Sequence, residues 1–174
     1  MNSRPAPTTS PAPTRRPAWS LRPATPADVE PVAELRAVVM RPDLERLGRY
    51  DEQRVRTRLR EGFSTTHTSV LLVDGAFAGS VTVRPAEQGV RLLEHFYLDP
   101  AHHGRGIGTA VLRRLLAEAD TAGEPVRLTV LQGSPARRLY ERHGFALDSE
   151  DPVDAHLLRP APDGAGPGNR PPLP

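Results

Sequence analysis

The stretch "FYLDPAHHGRGIGTAVLRRLLAEA", residues 96–119, runs from a β-rich segment through Pro100 into glycines at 104, 106 and 108, then into an apolar run at helical spacing. Ile107, Val111, Leu112, Leu115 and Leu116 form one stripe, so the three glycines open a helix. A helix start leaves several N–H groups unpaired at the positive end of its dipole. Without Cβ atoms those amides admit an anion such as a phosphate at close range. Three glycines also suit a simple tight turn. The dinucleotide fingerprint needs a further glycine where Thr109 stands, and it belongs in a parallel crossover unit. A Walker loop ends in Gly-Lys-Ser/Thr, and this chain contains no lysine. A turn or an anion site of another type remains.

Outward from this stretch the elements follow in a clear order. "WSLRPAT" (19–25) reads as a short strand. "TPADVEPVAELRAVVM" (25–40) reads as a helix with Thr25 as N-cap, Pro26 at the first position and Asp28 in the first turn. Pro31 kinks it or delays its regular part, and Val32, Leu35, Val38 and Val39 form its apolar stripe. A second helical stretch is expected from about Asp43 to Phe63, broken at Gly48, with Asp51 capping its later half and Val55, Leu59 and Phe63 facing inward. "TSVLLVDGAFAGSVTVRP" (68–85) is a hairpin turning at Asp74-Gly75, and "VRLLEHFYLDP" (90–100) a third strand. After the helix that ends near Ala122 come a strand at "VRLTVL", a short helix in "SPARRLYERHG", and a closing pair at "FALDS" and "DAHLLR". This is one mixed α/β domain without internal repeat, over residues 19–160, between Pro-rich tails at 1–18 and 161–174 that read as disordered.

Of 174 residues 20 are Pro and none is Cys, which excludes disulfides, thiolate metal sites and a cysteine nucleophile. The net charge of +2 does not define a nucleic-acid binder, and "RVRTRLR" (54–60), with Val55 and Leu59 four apart, reads as a solvated helix face. No run of about 20 apolar residues or signal-peptide pattern is present, so the expectation is a cytoplasmic protein with no membrane partner. His102 and His103 are adjacent, whereas ligands sharing a helix need spacing of three or four, so no metal site is expected.

The glycine stretch followed by "VRLTVLQGSPARRLYERHGF" (126–145) resembles the paired signature of the GCN5-related N-acetyltransferase (GNAT) superfamily. The first motif, Gln/Arg-x-x-Gly-x-Gly/Ala after a strand corner, falls on His103, Gly104, Arg105, Gly106, Ile107 and Gly108. The second falls on Gly133, Ala136, Tyr140, Gly144 and Phe145. His103 replaces the usual Gln or Arg, leaving its backbone N–H and ring as donors to phosphate. Gly133 replaces a common Asn, with Ser134 beside it.

The resemblance implies a mostly antiparallel, twisted central sheet, flanked by helices and splayed at the cofactor site. It implies acetyl-CoA as co-substrate, a primary amine attacking the thioester directly, and an acceptor that is a small molecule or a peptide; a homodimer is left open. The amides of His103 to Thr109 would hold the pyrophosphate, with Arg105 adding charge, and main-chain groups of Phe96 and Leu98 would pair with pantetheine like an added strand. Arg137 and Arg138 read as a salt-bridged surface first and a contact to the 3'-phosphate second. Tyr140 occupies the position of the acid that protonates the leaving thiolate.

An aliphatic ammonium, with pKa near 10, must lose its proton before attack. With regular alternation Leu92, Glu94, Phe96 and Leu98 share one strand face, and Leu93, His95 and Tyr97 the other. The resemblance implies acid/base side chains on this strand a few residues before its cofactor-binding corner, which makes Glu94, four before Leu98, the first choice as base. The alternative is an ordinary strand carboxylate or a group that only fixes the substrate ammonium. His95 points away unless a bulge re-aims it. Glu45, Arg49, Tyr50, Asp51, Glu150, Asp151 and Asp154 are acceptor-side candidates, with His156 a further one; acidic residues among them would suit a cationic amine. The contrasting reading is a non-catalytic CoA-binding module or an Arg-rich interaction protein.

Overall fold

A computed structural model describes residues 18–162, so the two expected tails lie almost wholly outside the described residues. In chain order the elements are β1 (Trp19–Pro23), α1 (Val29–Arg46), α2 (Glu52–Gly62), β2 (Thr68–Val73), β3 (Ala76–Pro85), β4 (Arg91–Leu98), α3 (Ile107–Ala122), β5 (Val126–Leu131), α4 (Ala136–Glu141), β6 (Ala146–Glu150) and β7 (Asp154–Arg159). The strands form one seven-stranded sheet in the order β1-β2-β3-β4-β5-β7-β6. Every pairing is antiparallel except β4 with β5. The mixed α/β, mostly antiparallel architecture is the one the sequence implied.

Helices cover both faces because the strands alternate apolar residues to both sides. On one face α3 buries Ile107, Val111, Leu112 and Leu116 against Leu71, Ala78, Val81, Leu93 and Leu128, and Tyr140 of α4 joins the same core. On the other, Val32 and Ala33 of α1 and Leu59 of α2 pack with Phe63, Phe77 and Tyr97.

The first helix matches one expectation and differs in two others. A 3-10 turn over Pro26–Asp28 comes first and the regular helix begins at Val29, so its regular part is delayed rather than kinked, with Pro31 in the first turn where a missing N–H breaks no helical bond. It also runs through Pro42 to Arg46, so residues 43–46 belong to α1 rather than to the second helical stretch. Gly48, with φ of 66°, ends that run, and Asp51 caps α2 by accepting the Arg54 N–H at 2.8 Å. Val38 is 56% exposed: six residues past Val32 it lies roughly 240° round the helix, off the buried stripe, which Ala33, Leu35 and Ala37 complete. Ahead of α1, buried Asp28 accepts both the backbone N–H (2.7 Å) and hydroxyl (2.9 Å) of Thr25 and a bidentate Arg22 guanidinium at 2.7 and 2.9 Å.

A β-bulge in β4 re-aims its side chains. Ser80 pairs with Tyr97 and Thr82 with Glu94, so His95 and Phe96 both face Val81, and His95 takes a left-handed φ of 48°. Leu93, Phe96 and Leu98 therefore pack in the α3 core, while Glu94, His95 and Tyr97 line a cavity on the α1/α2 side. This corrects the regular alternation, which grouped Glu94 with Phe96 and Leu98 and turned His95 away. The close strand contact demands Gly79, since a Cβ there would collide with the Tyr97 carbonyl oxygen.

Candidate active site

β4 and β5 pair at only three positions, ending at Leu93 opposite Leu128. Beyond them the strands splay, and the seam opens into a groove of about 710 Å³ lined by β4, the glycine segment, β5 and α4. A second cavity of about 520 Å³ lies against α1 and α2. The two share Met40, Leu93, Glu94, His95, Tyr97, Thr129 and Leu131, so they meet through the sheet at the bulge.

The glycines divide by physical role. Gly104 and Gly106 adopt φ of 71° and 76°, which L side chains rarely take, although a Cβ at either would meet nothing within 4 Å. Gly108 is helical, and its missing Cβ would face Leu98 and Leu139 at 4.0 Å across the groove. Among the described residues, no backbone N–H from Gly104 to Thr109 has a hydrogen-bond partner. Free amides at the start of a long helix, opening on a groove, suit a phosphate group.

Other expected cofactor contacts lie around the same groove. Phe96, Leu98, Gly104, Gly106, Ile107, Gly108, Thr109 and Ser134 all line it. His103 also lines it but differs from expectation: its backbone N–H donates to the Pro100 carbonyl at 3.1 Å, and its ring Nε2 lies 2.9 Å from the Leu98 carbonyl oxygen. The residue that departs from the first motif thus closes the strand corner with both donors. Arg105 is exposed and bonds His102 at 3.1 Å. The Arg46 guanidinium lies over Gly133, where a Cβ would come within 3.0–3.2 Å of it, and also donates to the Gln132 carbonyl. Arg137 pairs with Glu141 at 2.7 Å, whereas Arg138 makes no ion pair among the described residues.

At the junction, Glu94 is held by Arg84 through contacts of 2.6 and 3.2 Å. His95 sits 3.3 Å from the Thr82 hydroxyl, and burial, then the Arg36 charge, pushes its pKa below the usual histidine value. Tyr97 accepts a hydrogen bond from Arg36 at 3.1 Å and has its pKa pushed up to about 12, chiefly by burial. Tyr140, on the groove side, packs edge-on against Phe145 with centroids 5.7 Å apart. Burial first, and then its neighbour Tyr97, holds its pKa well above the usual phenol value.

Of the acceptor-side candidates, Arg49, Asp51, Asp151 and Asp154 line the second cavity. Glu45 instead pairs with Arg41 at 2.7 Å, Tyr50 stacks with the same arginine at 5.0 Å, Glu150 accepts from Gln132 at 3.1 Å, and His156 bonds Thr129 at 2.9 Å. Arg36, Tyr97 and the pair Arg54 and Arg58 were not anticipated there. Positions 54 and 58 share a helix face four residues apart, a signal masked by the neighbouring arginines at 56 and 60. Among the described residues, no group of three or more His, Asp or Glu could hold a metal ion, and no helix is long and apolar enough to cross a membrane.

The model of the acetyltransferase (GNAT) family matches residues 32–145, and the chain belongs to that family of acetyl-CoA-dependent acyltransferases. No curated protein sequence gives a match. Among solved structures it is similar to the PaiA N-acetyltransferase of Thermoplasma acidophilum in complex with coenzyme A, at 19% identity, TM-score 0.67, covering 82% of this chain and 99% of that one. It is similar also to an acetyltransferase from Thermus thermophilus, at 19% identity and TM-score 0.64, over 82% and 96% of the two chains. The ribosomal-protein-S18-alanine N-acetyltransferase of Escherichia coli aligns at 16% identity and TM-score 0.60, over 82% and 94%. At these identities the likeness is one of fold.

Proposed function

We propose that the protein is an N-acetyltransferase that moves an acetyl group from acetyl-CoA to a primary amine by direct attack. The observation that carries this reading is the meeting of two cavities through the splayed seam, with ionisable side chains at the junction. Acetyl-CoA enters along the groove, its pyrophosphate on the free amides from Gly104 to Thr109, with Arg105 nearby and Ser134 beside the arm. Its pantetheine runs along Phe96 and Leu98, and the amine arrives from the α1/α2 side.

The amine nitrogen forms a bond to the thioester carbon, the C–S bond breaks, and the sulfur leaves as thiolate. Glu94 takes the ammonium proton before attack, its carboxylate oriented by Arg84. As the tetrahedral intermediate collapses, Tyr140 gives its phenolic proton to the sulfur and is reprotonated by the second proton that the acylated nitrogen sheds, while the first leaves Glu94 to solvent. Burial disfavours both phenolate and thiolate, so one desolvated setting raises both proton affinities and keeps the transfer close to balance. A second reading assigns the base to His95, favoured by the bulge that brings it beside Glu94 and by burial that keeps it neutral.

A panel of amines assayed by thiol release tests the proposal, the expected result being amine-dependent release of CoA. A protein that binds CoA but turns over no amine is the non-catalytic module, and one that binds neither CoA nor acetyl-CoA is an interaction protein. Comparing pH–rate profiles of Glu94→Gln and His95→Asn assigns the base. The variant lacking the base loses rate most at low pH, and an unchanged profile for Glu94→Gln removes Glu94 from that role.

A further inference from the structure

The wall of the second cavity is arginine-rich in a way that amine chemistry alone does not explain. Arg36, Arg49, Arg54 and Arg58 all line it, and among the described residues none makes an ion pair. The arginines alternating with them on α2 behave differently. Arg56 grips Glu34 at 2.7 and 2.9 Å, and Arg60 grips Glu30 at 2.8 Å through both oxygens. One face of α2 is therefore neutralised against α1, while Arg54 and Arg58 turn to the cavity.

The cavity's carboxylates are largely spent elsewhere. Asp51 accepts the Arg54 N–H at 2.8 Å, and Asp151, which lies near Arg49, accepts the Val153 and Asp154 N–H groups at 2.7 and 2.8 Å. Glu94 is held by Arg84. Of the carboxylates that line the cavity, Asp154 alone makes no hydrogen bond to another described residue. Deepest in the wall, Arg36 donates through Nη1 to the Tyr97 hydroxyl, and its Nε is buried with no partner at all. A buried charged donor left unpaired is costly, and a guanidinium fork fits an oxyanion in bidentate fashion.

We propose that the acceptor is a primary amine that also carries an oxyanion, a carboxylate or a phosphorus oxyanion, bound by Arg36 with Arg54 and Arg58 at the cavity wall. This rests on the N-acetyltransferase reading and narrows it. The ammonium end of such a zwitterion faces Glu94 and Asp154, and the anionic end faces the guanidinium groups. The sequence placed both Arg49 and carboxylates among the acceptor-side candidates, and the cavity brings the two charges together in an arrangement that accepts both.

The test pairs amino acids and 2-aminoethylphosphonate with counterparts that lack the oxyanion, the amino-acid amides and n-propylamine, in thiol-release assays. Calorimetric binding of each to the CoA complex is measured alongside. The anionic members are expected to exceed their counterparts in kcat/KM by about 10- to 100-fold. Arg36→Gln should raise their KM by a similar factor while leaving KM for acetyl-CoA unchanged, and Arg60→Gln, outside the cavity, should leave the preference intact. Equal use of amines with and without the oxyanion, or a preference untouched in Arg36→Gln, overturns the proposal. If no amine turns over, the acetyltransferase reading fails, and calorimetry then decides the anion pocket alone: Arg36-dependent binding of the anionic members supports it, and binding without that dependence, or none, overturns it.

Discussion

Replacing Tyr140 by Phe deletes one oxygen from the groove and leaves almost everything else in place. The aromatic ring keeps its burial and its edge-on contact with Phe145 at 5.7 Å. The hydroxyl makes no hydrogen bond to another described residue, so its loss breaks none. Stability should therefore change by less than about 1 kcal/mol, which for a domain of this size moves Tm by no more than about 2–4 °C. Catalysis should respond very differently. A positioned general acid contributes about 10²- to 10⁴-fold, or roughly 3–5 kcal/mol of barrier, because the C–S bond otherwise breaks to give a bare thiolate in a desolvated groove. Since burial raises the phenol's pKa above its ordinary value, wild-type Tyr140 stays protonated throughout the neutral and mildly basic range. Its titration therefore adds no basic limb to the rate profile there. Initial rates by thiol release at saturating acetyl-CoA, a thermal melt and calorimetry with CoA measure the three quantities separately. The expected result is a kcat lower by about 100-fold or more, with Tm and CoA affinity unchanged. Turnover within about twofold of wild type would refute the assignment, and so would a loss of turnover that merely tracks a loss of fold.

The glycine cradle and the cap at Asp28 give two further predictions. Gly106→Ala forces a left-handed residue and should cost about 1–2 kcal/mol of stability, whereas helical Gly108→Ala should gain up to about 1 kcal/mol; both should weaken CoA binding, as denaturation and calorimetry would show. Asp28 has its folded pKa driven well below the ordinary Asp value, chiefly by Arg22, so its contribution is fully present above about pH 4 and fades as pH falls toward the folded value. Asp28→Asn should thus lower Tm clearly at pH 7 and progressively less below pH 4, and a deficit constant with pH would rule the linkage out.

Most elements were legible because local chemistry announced them. The Asp74-Gly75 turn between β-rich runs, the Asp51 cap and the Ile107–Leu116 stripe are each encoded within a few residues and appear where expected. The continuation of α1 past Met40 was missed, because the apolar stripe that announced the helix ends there and residues 41–46 bury no side chain. The groove was legible for the same local reason, through glycines that a left-handed backbone and an open cleft require. His103 was misjudged: no spacing rule shows a side chain turning back onto the carbonyl five residues before it.

By itself, then, the amino-acid sequence determined the order and type of the elements and the family signature, because periodicity, caps and turn residues act over short range. The make-up of the second cavity was decided only by the tertiary structure. The bulge at His95 lies in the register shift between β3 and β4, and it reverses the faces of His95 and the residues that follow it to Leu98. The split of the α2 arginines into neutralised and cavity-lining pairs depends on where Glu30 and Glu34 of α1 stand. Both depend on contacts between segments distant along the chain, so "RVRTRLR" is the solvated helix face the sequence suggested, and the tertiary structure adds that its Arg54 and Arg58 line a cavity.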